Sequence, residues 1–562
     1  MPGGKTALQC YDLRTGEVYW ELSPPPIPQT VGLFGMVQYA PMQLEYTQSG
    51  PEVPGAQPQV KTVYLVSFGG GRLVKLDPLN GRVALNVSIS PLTGGTYYKN
   101  GYALSVRNLG TFFAPNYRLI NWTTLGSTSN FTQRIANNIT WPWSGEPCSG
   151  FGGPVADFEA GVAVMVSDIT PPQVGAWYGT DIKAVSLKNG ASLWNKTLPD
   201  ETLYSAACVV ADHGKVAFLT MKGHWIAYNL ADGSPAWTSE TMDYPWDAPG
   251  FGAYATASAY GLFYRFAYSG VYAFNWTNGK IVWKYEAPAN PYETSYTGRN
   301  GTTVYPFNGG GWIADGKLYT FNIEHTPCQP LTRGYRLHCI NATTGKGIWN
   351  ITGMMAVGAT FGTVLGSMAD GYLMTSNGYD GYQYCFGKGK SQTTVNASPK
   401  TTAKGSQVLI EGTVLDQSPA QPGTPCVAKE SMTVWMEYLH MQKPCPSDVK
   451  GVPVTLTAIK SDGKVIDLGT VTTNGFYGTF SFAWTPPDEG TYTIIACFMG
   501  DESYGSSSAA TAITVGPPPA EIEIPEYPTP TDYMPMLTAL AVAVVIAIII
   551  GIINLYAIFK RK

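Results

Sequence analysis

The segment "GVYAFNWTNGKIVWKYE" (residues 270–286) decides the fold of the first 400 residues. It reads as a strand rich in aromatic and β-branched residues, a tight turn at Asn278-Gly279 and a second such strand through Trp283. Successive side chains of a strand point to opposite faces, and Asn-Gly supplies the positive φ of a tight hairpin. The pattern returns as "LQCYDLRTGEVYW" (8–20), "LVKLDPLNGRVAL" (73–85), "YRLINWTTLGSTSN" (117–130), "IKAVSLKNGASLW" (182–194), "WIAYNLADGSPAW" (225–237) and "LHCINATTGKGIW" (337–349). A degenerate last copy is "GYQYCFGKGKSQTTV" (381–395). The turn glycines are Gly16, Gly81, Gly126, Gly190, Gly233, Gly279, Gly345 and, in the last copy, Gly387. Several successive gaps are 42 to 46 residues; the longer ones are what loop insertions produce.

Four residues after the glycine stands a tryptophan: Trp20, Trp194, Trp237, Trp283 and Trp349. Leu85 takes that place in the second copy and Asn130 in the third. An indole at a fixed distance from a turn is a packing residue, wedged between neighbouring sheets. Upstream of many hairpins lies a second strand pair, as in "HGKVAFLTMKGHW" (213–225), "AYGLFYRFAYSGV" (259–271), "ADGKLYTFNIEH" (314–325) and "ADGYLMTSNGYDG" (370–381). Four strands per unit of about 45 residues, arranged radially, make a β-propeller. The expectation is an all-β chain with a seven- or eight-bladed propeller over 1–395.

These repeats resemble the propeller repeats of the quinoprotein dehydrogenases, which bind pyrroloquinoline quinone, and of the outer-membrane assembly propeller. The strings that carry the resemblance are "DLRTGEVYWE" (12–21), "LADGSPAW" (230–237) and "INATTGKGIW" (340–349). The resemblance implies the fold. For activity it implies little, because many proteins with such repeats bind no quinone. The dehydrogenases use a disulfide between adjacent cysteines and a calcium or lanthanide ion held by acidic and amide groups. This chain has no Cys-Cys pair. Asp12, Asp77, Asp181, Asp212, Asp232, Asp315 and Asp370 stand mostly at turns, where a carboxylate accepts backbone hydrogen bonds. Asp212-His213 and Glu324-His325 are the adjacent acid–imidazole pairs, but five scattered histidines give no ligand spacing. "FGGG" (68–71) lacks the lysine of a phosphate loop and reads as a turn. No catalytic residue, metal or cofactor is assigned.

Two loops rich in aromatic residues, Pro and Gly, "ITWPWSGEPCSGFGG" (139–153) and "MDYPWDAPGFGAY" (242–254), are the candidate binding loops. Their indoles Trp141, Trp143 and Trp246 suit sugar rings or a protein patch if exposed; the competing reading is local packing.

After Asn396 the composition changes. Strand-like runs at 452–459, 464–471, 476–484 and 491–499 are separated by "SDG", "NG" and "PDEG" turns. The expectation over 396–515 is a β-sandwich, and "TTNGFYGTFSFAWTPPDEGTYTIIACF" (472–498) resembles the immunoglobulin-like modules of surface proteins. Residues 516–535 are Pro-rich and acidic and read as an extended stalk. The run "MLTALAVAVVIAIIIGIINLYAIF" (536–559) is uncharged and long enough to cross a bilayer as a helix. "KRK" (560–562) follows it and should stay cytoplasmic, which puts the bulk of the chain outside. Such an ectodomain needs an export signal. "MPGGKTALQCYDLRTGEVYW" (1–20) has none, so the expectation is a removed signal or an incomplete start.

Composition agrees with an exterior protein. Only 13% of the 562 residues are charged and the net charge is -4, which argues against a nucleic-acid partner. Asn-x-Ser/Thr triplets at Asn86, Asn121, Asn130, Asn138, Asn195, Asn275, Asn300, Asn341, Asn350 and Asn396 are candidate glycosylation sites. Their density fits an archaeal or eukaryotic surface, and the short stalk and absent endoplasmic-reticulum signals lean archaeal. The nine cysteines are odd in number. Cys328 with Cys339, and two of Cys426, Cys445 and Cys497, are the candidate disulfides. The functional reading is a single-pass cell-surface recognition or assembly protein whose partners are surface or membrane-complex proteins, or glycans. The alternatives are an accessory subunit of a membrane complex and a tethered quinone-dependent oxidoreductase.

Overall fold

The computed structural model describes residues 6–31, 37–49, 59–90, 97–147, 155–168, 179–199, 201, 203, 209–243, 256–289, 292, 294, 301, 303–307, 310–322, 334–355, 366–518, 520 and 524–561. Among the described residues before 390, eight antiparallel sheets follow one another in the repeating part of the chain. The first is a hairpin, Leu8–Tyr11 with Val18–Leu22; six have four strands in sequential order; the last has three, Gly366–Ala369, Tyr372–Ser376 and Gln383–Phe386. These are the blades of a propeller. A short additional pair, Gln29–Val31 with Val37–Tyr39, lies between the first and second units.

Two kinds of turn build each blade. The first and second strands are joined by two residues of positive φ: Asn100-Gly101, His213-Gly214, Tyr260-Gly261, Asp315-Gly316 and Asp370-Gly371. That is the backbone handedness a right-twisted hairpin needs. The third and fourth strands are joined by a turn closed by a bond from the glycine N–H to the carbonyl four residues earlier, as in Gly233 to Asn229 and Gly279 to Asn275. An Asx or Ser side chain at that earlier position also accepts from the turn, as Asp12 does from Arg14 and Thr15. In the last unit this bond joins Gly381 to Asn377. The turn glycine of the degenerate copy is therefore Gly381, not Gly387; Gly387 lies past the final strand, packed against Tyr372. The third unit differs too. Its turn is lengthened, and the residue standing where tryptophan stands elsewhere is Asn137, opposite Asn121, rather than Asn130.

The tryptophans hold one unit to the next. Nε1 of Trp20 donates to Pro78 O (3.0 Å), Trp194 to Leu230 O (2.8 Å), Trp237 to Trp276 O (2.9 Å) and Trp283 to Ala342 O (3.1 Å). Each acceptor lies three residues before the turn glycine of the following unit. Each indole lies on that glycine, so closely that a Cβ on Gly81, Gly233, Gly279 or Gly345 would come within 2.8, 2.7, 2.3 or 2.5 Å of it. The glycine serves both its positive φ and this approach. Trp349 packs instead on Phe386 of the last unit, ring centroids 5.8 Å apart. The ring closes where the first hairpin meets the last sheet: Tyr11 Oη lies 3.6 Å from Met374 Sδ, and the Arg14 guanidinium sits over the Tyr372 ring.

From Ser391 a second body begins. Strands Ser391–Ser398, Val408–Asp416 and Thr479–Trp484 form one sheet. Thr401–Ala403, Ser507–Gly516, Gly490–Phe498, Lys450–Lys460 and Val465–Asn474 form the other, with 401–403 running parallel to its neighbour. Val408, Ile410, Leu456, Tyr492, Ile494 and Phe498 fill the space between them. Tyr492 Oη donates to Asp488 O (2.7 Å), the tyrosine corner of immunoglobulin-like sandwiches. Helix α1, Lys429–Met441, was not expected from the sequence. It covers the outer strand Gly347–Thr352 of the seventh unit. Glu437 Oε1 accepts the Thr352 N–H (2.7 Å) and an Arg336 N–H (3.2 Å), and Thr433 Oγ1 donates to Asn350 O (3.0 Å). An otherwise open sheet edge is thereby capped. Helix α2, Met534–Phe559, has 26 residues and a mean hydropathy of 3.1 over its most apolar stretch. At 1.5 Å per residue it is long enough to cross a bilayer.

Candidate functional site

The expected binding indoles are committed to packing. Trp141 is 2% and Trp143 7% exposed. Their rings meet edge to face at 5.1 Å, against Leu119, Ala163 and Val185 of the third and fourth units. Trp141 Nε1 donates to Gly145 O (2.9 Å), which folds the loop back on itself. They plug a seam between blades and offer no face to a ligand; Trp246 lies outside the described residues. The tryptophans read as structural, Trp20, Trp194, Trp237, Trp283 and Trp349, all stand in inter-blade contacts.

The expected disulfides are not formed among the described residues. Cys426 is buried in the sandwich, Cys445 is exposed beyond α1, and Cys497 approaches Met499 Sδ at 3.6 Å; all three are free thiols. Burial pushes the Cys426 thiol well up. Cys339 is also free and buried, its thiol pushed up to about 12 by desolvation first, with Tyr319 hydrogen-bonded to it. Its expected partner Cys328 lies outside the described residues.

Of the sequon asparagines, Asn86, Asn130, Asn138, Asn195 and Asn396 are exposed. Asn121, Asn275, Asn341 and Asn350 are half-buried, and Asn300 is outside the described residues. Asn275 and Asn341 use Oδ1 to hold their own turns. Asn350 is held on two sides: Arg336 donates to its Oδ1, and Thr433 of α1 donates to its carbonyl.

Two buried polar clusters were invisible in the sequence. In the first, Lys75 Nζ lies 2.5 Å from Glu45 Oε1, and Thr124 Oγ1 donates to Glu45 Oε2. Both charged side chains are almost fully buried, between the second and third units. Beside them Arg134 is 0% exposed, and it donates to the carbonyls of Thr123, Thr124, Leu125 and Thr128. It organises the lengthened turn of the third unit. Desolvation lowers the pKa of Lys75 against the opposing effect of Glu45.

In the second cluster, His338 Nε2 lies 2.7 Å from Asn322 Oδ1, and Nδ1 lies 3.1 Å from Tyr285 Oη. Asn322 Nδ2 donates to Tyr305 O (3.2 Å). Its Oδ1 is thus the acceptor facing the imidazole, so His338 is the Nε2–H tautomer and accepts from Tyr285. Burial, with Arg336 adding to it, holds its pKa down at about 3. Above pH ~6.5 both folded and unfolded chains carry neutral imidazole and this site contributes no pH dependence. Below it the unfolded chain takes a proton that the folded site refuses, so stability falls with pH until the folded group titrates near 3. Between pH 7.5 and 4.5 the loss from this group is expected to be about 3 kcal/mol. Urea melts of the protein and of His338→Asn across that range check it; equal slopes for both would refute the assignment.

Asp212 and His213 form an exposed pair at a strand turn, where Ser258 Oγ donates to Asp212; His325 is outside the described residues. Among the described residues no three His, Cys, Asp or Glu side chains are grouped to hold a metal ion. The donor set of the quinone dehydrogenases, adjacent cysteines beside an acid-ligated ion, does not fit the residues present. An open cleft of about 600 Å³ on the sandwich is lined by Lys429, Glu430, Lys450, Asn474 and Asp501.

Residues 143–326 match the family model described as outer membrane protein assembly factor BamB, so this stretch is a propeller region of that repeat type. No curated protein sequence matches the chain. Among solved structures, BamB from Moraxella catarrhalis is 16% identical, with 56% of this chain and 85% of that one aligned and a TM-score of 0.30. Quinohemoprotein alcohol dehydrogenase from Comamonas testosteroni is 13% identical, with 66% and 67% aligned and a TM-score of 0.34. The computationally designed Ika8 protein is 10% identical, with 58% and 93% aligned and a TM-score of 0.30. At such identities and scores no function follows from these likenesses.

Proposed function

We propose that this protein is a non-enzymatic scaffold, tethered by α2, whose propeller is presented outside the cell to bind a protein partner or a glycan. The observation that carries the reading is rigidity. Indoles latch unit to unit, and α1 fixes the sandwich on the edge of the seventh blade through Glu437, Arg336 and Thr433. A stiff body tethered by a Pro-rich stalk and a membrane helix suits presenting a fixed surface to a partner. The basic end Lys560–Lys562 supports an outside propeller. The assembly role in the matched family's description supports partner binding over chemistry. A second reading, an accessory subunit of a membrane complex, is favoured by Asn554. It is a polar side chain within α2 that a neighbouring helix would satisfy.

Pull-down of the full chain from gently solubilised membranes, read by mass spectrometry, tests both readings. Stoichiometric partners retained after Asn554→Leu support the scaffold; partners lost with that change support the complex subunit. Recovery of the chain alone, with quinone- and calcium-dependent dye reduction, would sink both.

The same material tests orientation. Asn86, Asn130, Asn195 and Asn396 are expected to carry glycans. Asn350, beneath α1, is expected to remain bare. Glycopeptide mapping reads this directly, and four unmodified exposed sites would overturn the outward placement.

A further inference from the structure

The loop between the second and third strands of the third unit ends in two of the most exposed apolar side chains of the ectodomain. Phe112 is 90% and Phe113 93% exposed, and Leu109 beside them 48%. This is a built tip. Asn108 Oδ1 accepts the N–H groups of Gly110 and Asn116, both at 2.8 Å, and Leu109 N–H donates to Asn116 O (2.8 Å). Thr111 N–H and Ala114 N–H close the end through Ala114 O and Thr111 Oγ1. Gly110 is required, because a Cβ there would meet Ala114 O at 2.1 Å. The loop backbone is closed by its own hydrogen bonds, and the two phenyl rings stand clear of the body and contact each other edge to face at 5.3 Å. Neighbouring exposed phenyls on a rigid tip signal contact with something apolar.

The charge around the tip says what. At its base Arg107 and Arg118 are direct cross-strand partners, an arrangement that like charges disfavour. Arg118 is oriented by Thr140 Oγ1 (2.6 Å) and Asn138 Oδ1, and Arg107 by stacking on Phe131. In the two strands and the loop that form this tip, residues 102–123, the charged side chains are Arg107 and Arg118, with no Asp or Glu. Aromatic residues at the tip and guanidinium groups at the collar match acyl chains below phosphate headgroups.

The geometry points to residues 108–116 being a peg that enters the interfacial layer of an anionic bilayer and holds the propeller to the membrane surface. The inference rests on α2 placing the chain at a bilayer, and not on which partner the propeller binds. The test uses the full chain with p-benzoyl-phenylalanine at Phe113, in vesicles of phosphatidylcholine and phosphatidylglycerol. A control carries the same group at Leu79, 86% exposed in a turn at the opposite end of its strands. Irradiation is expected to give lipid adducts at 113 about tenfold above those at 79. The yield at 113 should fall several-fold in phosphatidylcholine alone or in Arg107→Gln/Arg118→Gln. Phe112→Ser/Phe113→Ser should leave the melting temperature unchanged, showing that the rings are not structural. Lipid yields equal at 113 and 79, or an adduct to a second copy of this chain, would overturn the inference; the latter would mean a protein pocket receives the peg.

Discussion

Replacing Trp283 with alanine is expected to destabilise the propeller by about 4 kcal/mol, in the range of buried Trp→Ala changes. Trp283 is 8% exposed and packs across the seam between the sixth and seventh units. Its acceptor, Ala342 O, is also bonded by Tyr264 Oη (3.2 Å), so the carbonyl stays satisfied and the loss is chiefly one of packing. The partner substitution Gly345→Ala puts a Cβ 2.5 Å from the indole at a φ of 71°. That should cost about 2–4 kcal/mol. The double variant discriminates. With the indole gone the new methyl no longer clashes, so the two costs should fall short of additivity by about 1–3 kcal/mol. Strict additivity in urea melts would show that indole and glycine are not one latch.

The second large effect belongs to the buried pair of the second unit. Lys75→Met leaves the Glu45 carboxylate in the interior, bonded by the Thr124 hydroxyl but without its cationic partner. Orphaning a buried charge is expected to cost about 3–5 kcal/mol. Removing both charges, in Lys75→Met with Glu45→Met, should recover most of that, since the pair is opposed by its own desolvation. The exposed pair Lys429–Glu502 is the contrast: its removal should change stability by less than about 1 kcal/mol. A Lys75→Met protein as stable as its parent would refute the buried pair.

What was legible in the sequence follows from the range of the interaction. The hairpins declared themselves because strand alternation, turn glycine and tryptophan lie within thirteen residues of one another, as in 271–283. The sandwich strands were legible for the same reason, between "SDG" and "NG" turns. Where a unit departs from the pattern, local reading slipped by a few residues. Asn130 was aligned where Asn137 stands, because the turn of the third unit is lengthened around Arg134. Gly387 was chosen over Gly381 because the last unit passes from its second strand straight into the closing turn. Helix α1 was missed because much of what fixes it is remote: Glu437 meets Thr352 and Arg336 across 85 and 101 residues. The cluster of Glu45, Lys75 and Thr124 spans up to 79 residues, and nothing in any one segment marks it. Trp141 and Trp143 carried both readings on their residue type alone, and only the seam between two blades decided for burial.

The latches point one way: each indole reaches forward onto its successor's turn, using nothing but the terminal hairpin of its own unit. The long connections elsewhere, such as the span from Glu286 to Gly311, supply none of these four indole bonds, although Phe307 and Ala287 of that span pack in the seam cluster with Trp283. The indole bonds can therefore persist while the stretches of such spans outside the seams change under selection. A chain of this design is free to acquire new specificity in its connecting segments without renegotiating its architecture.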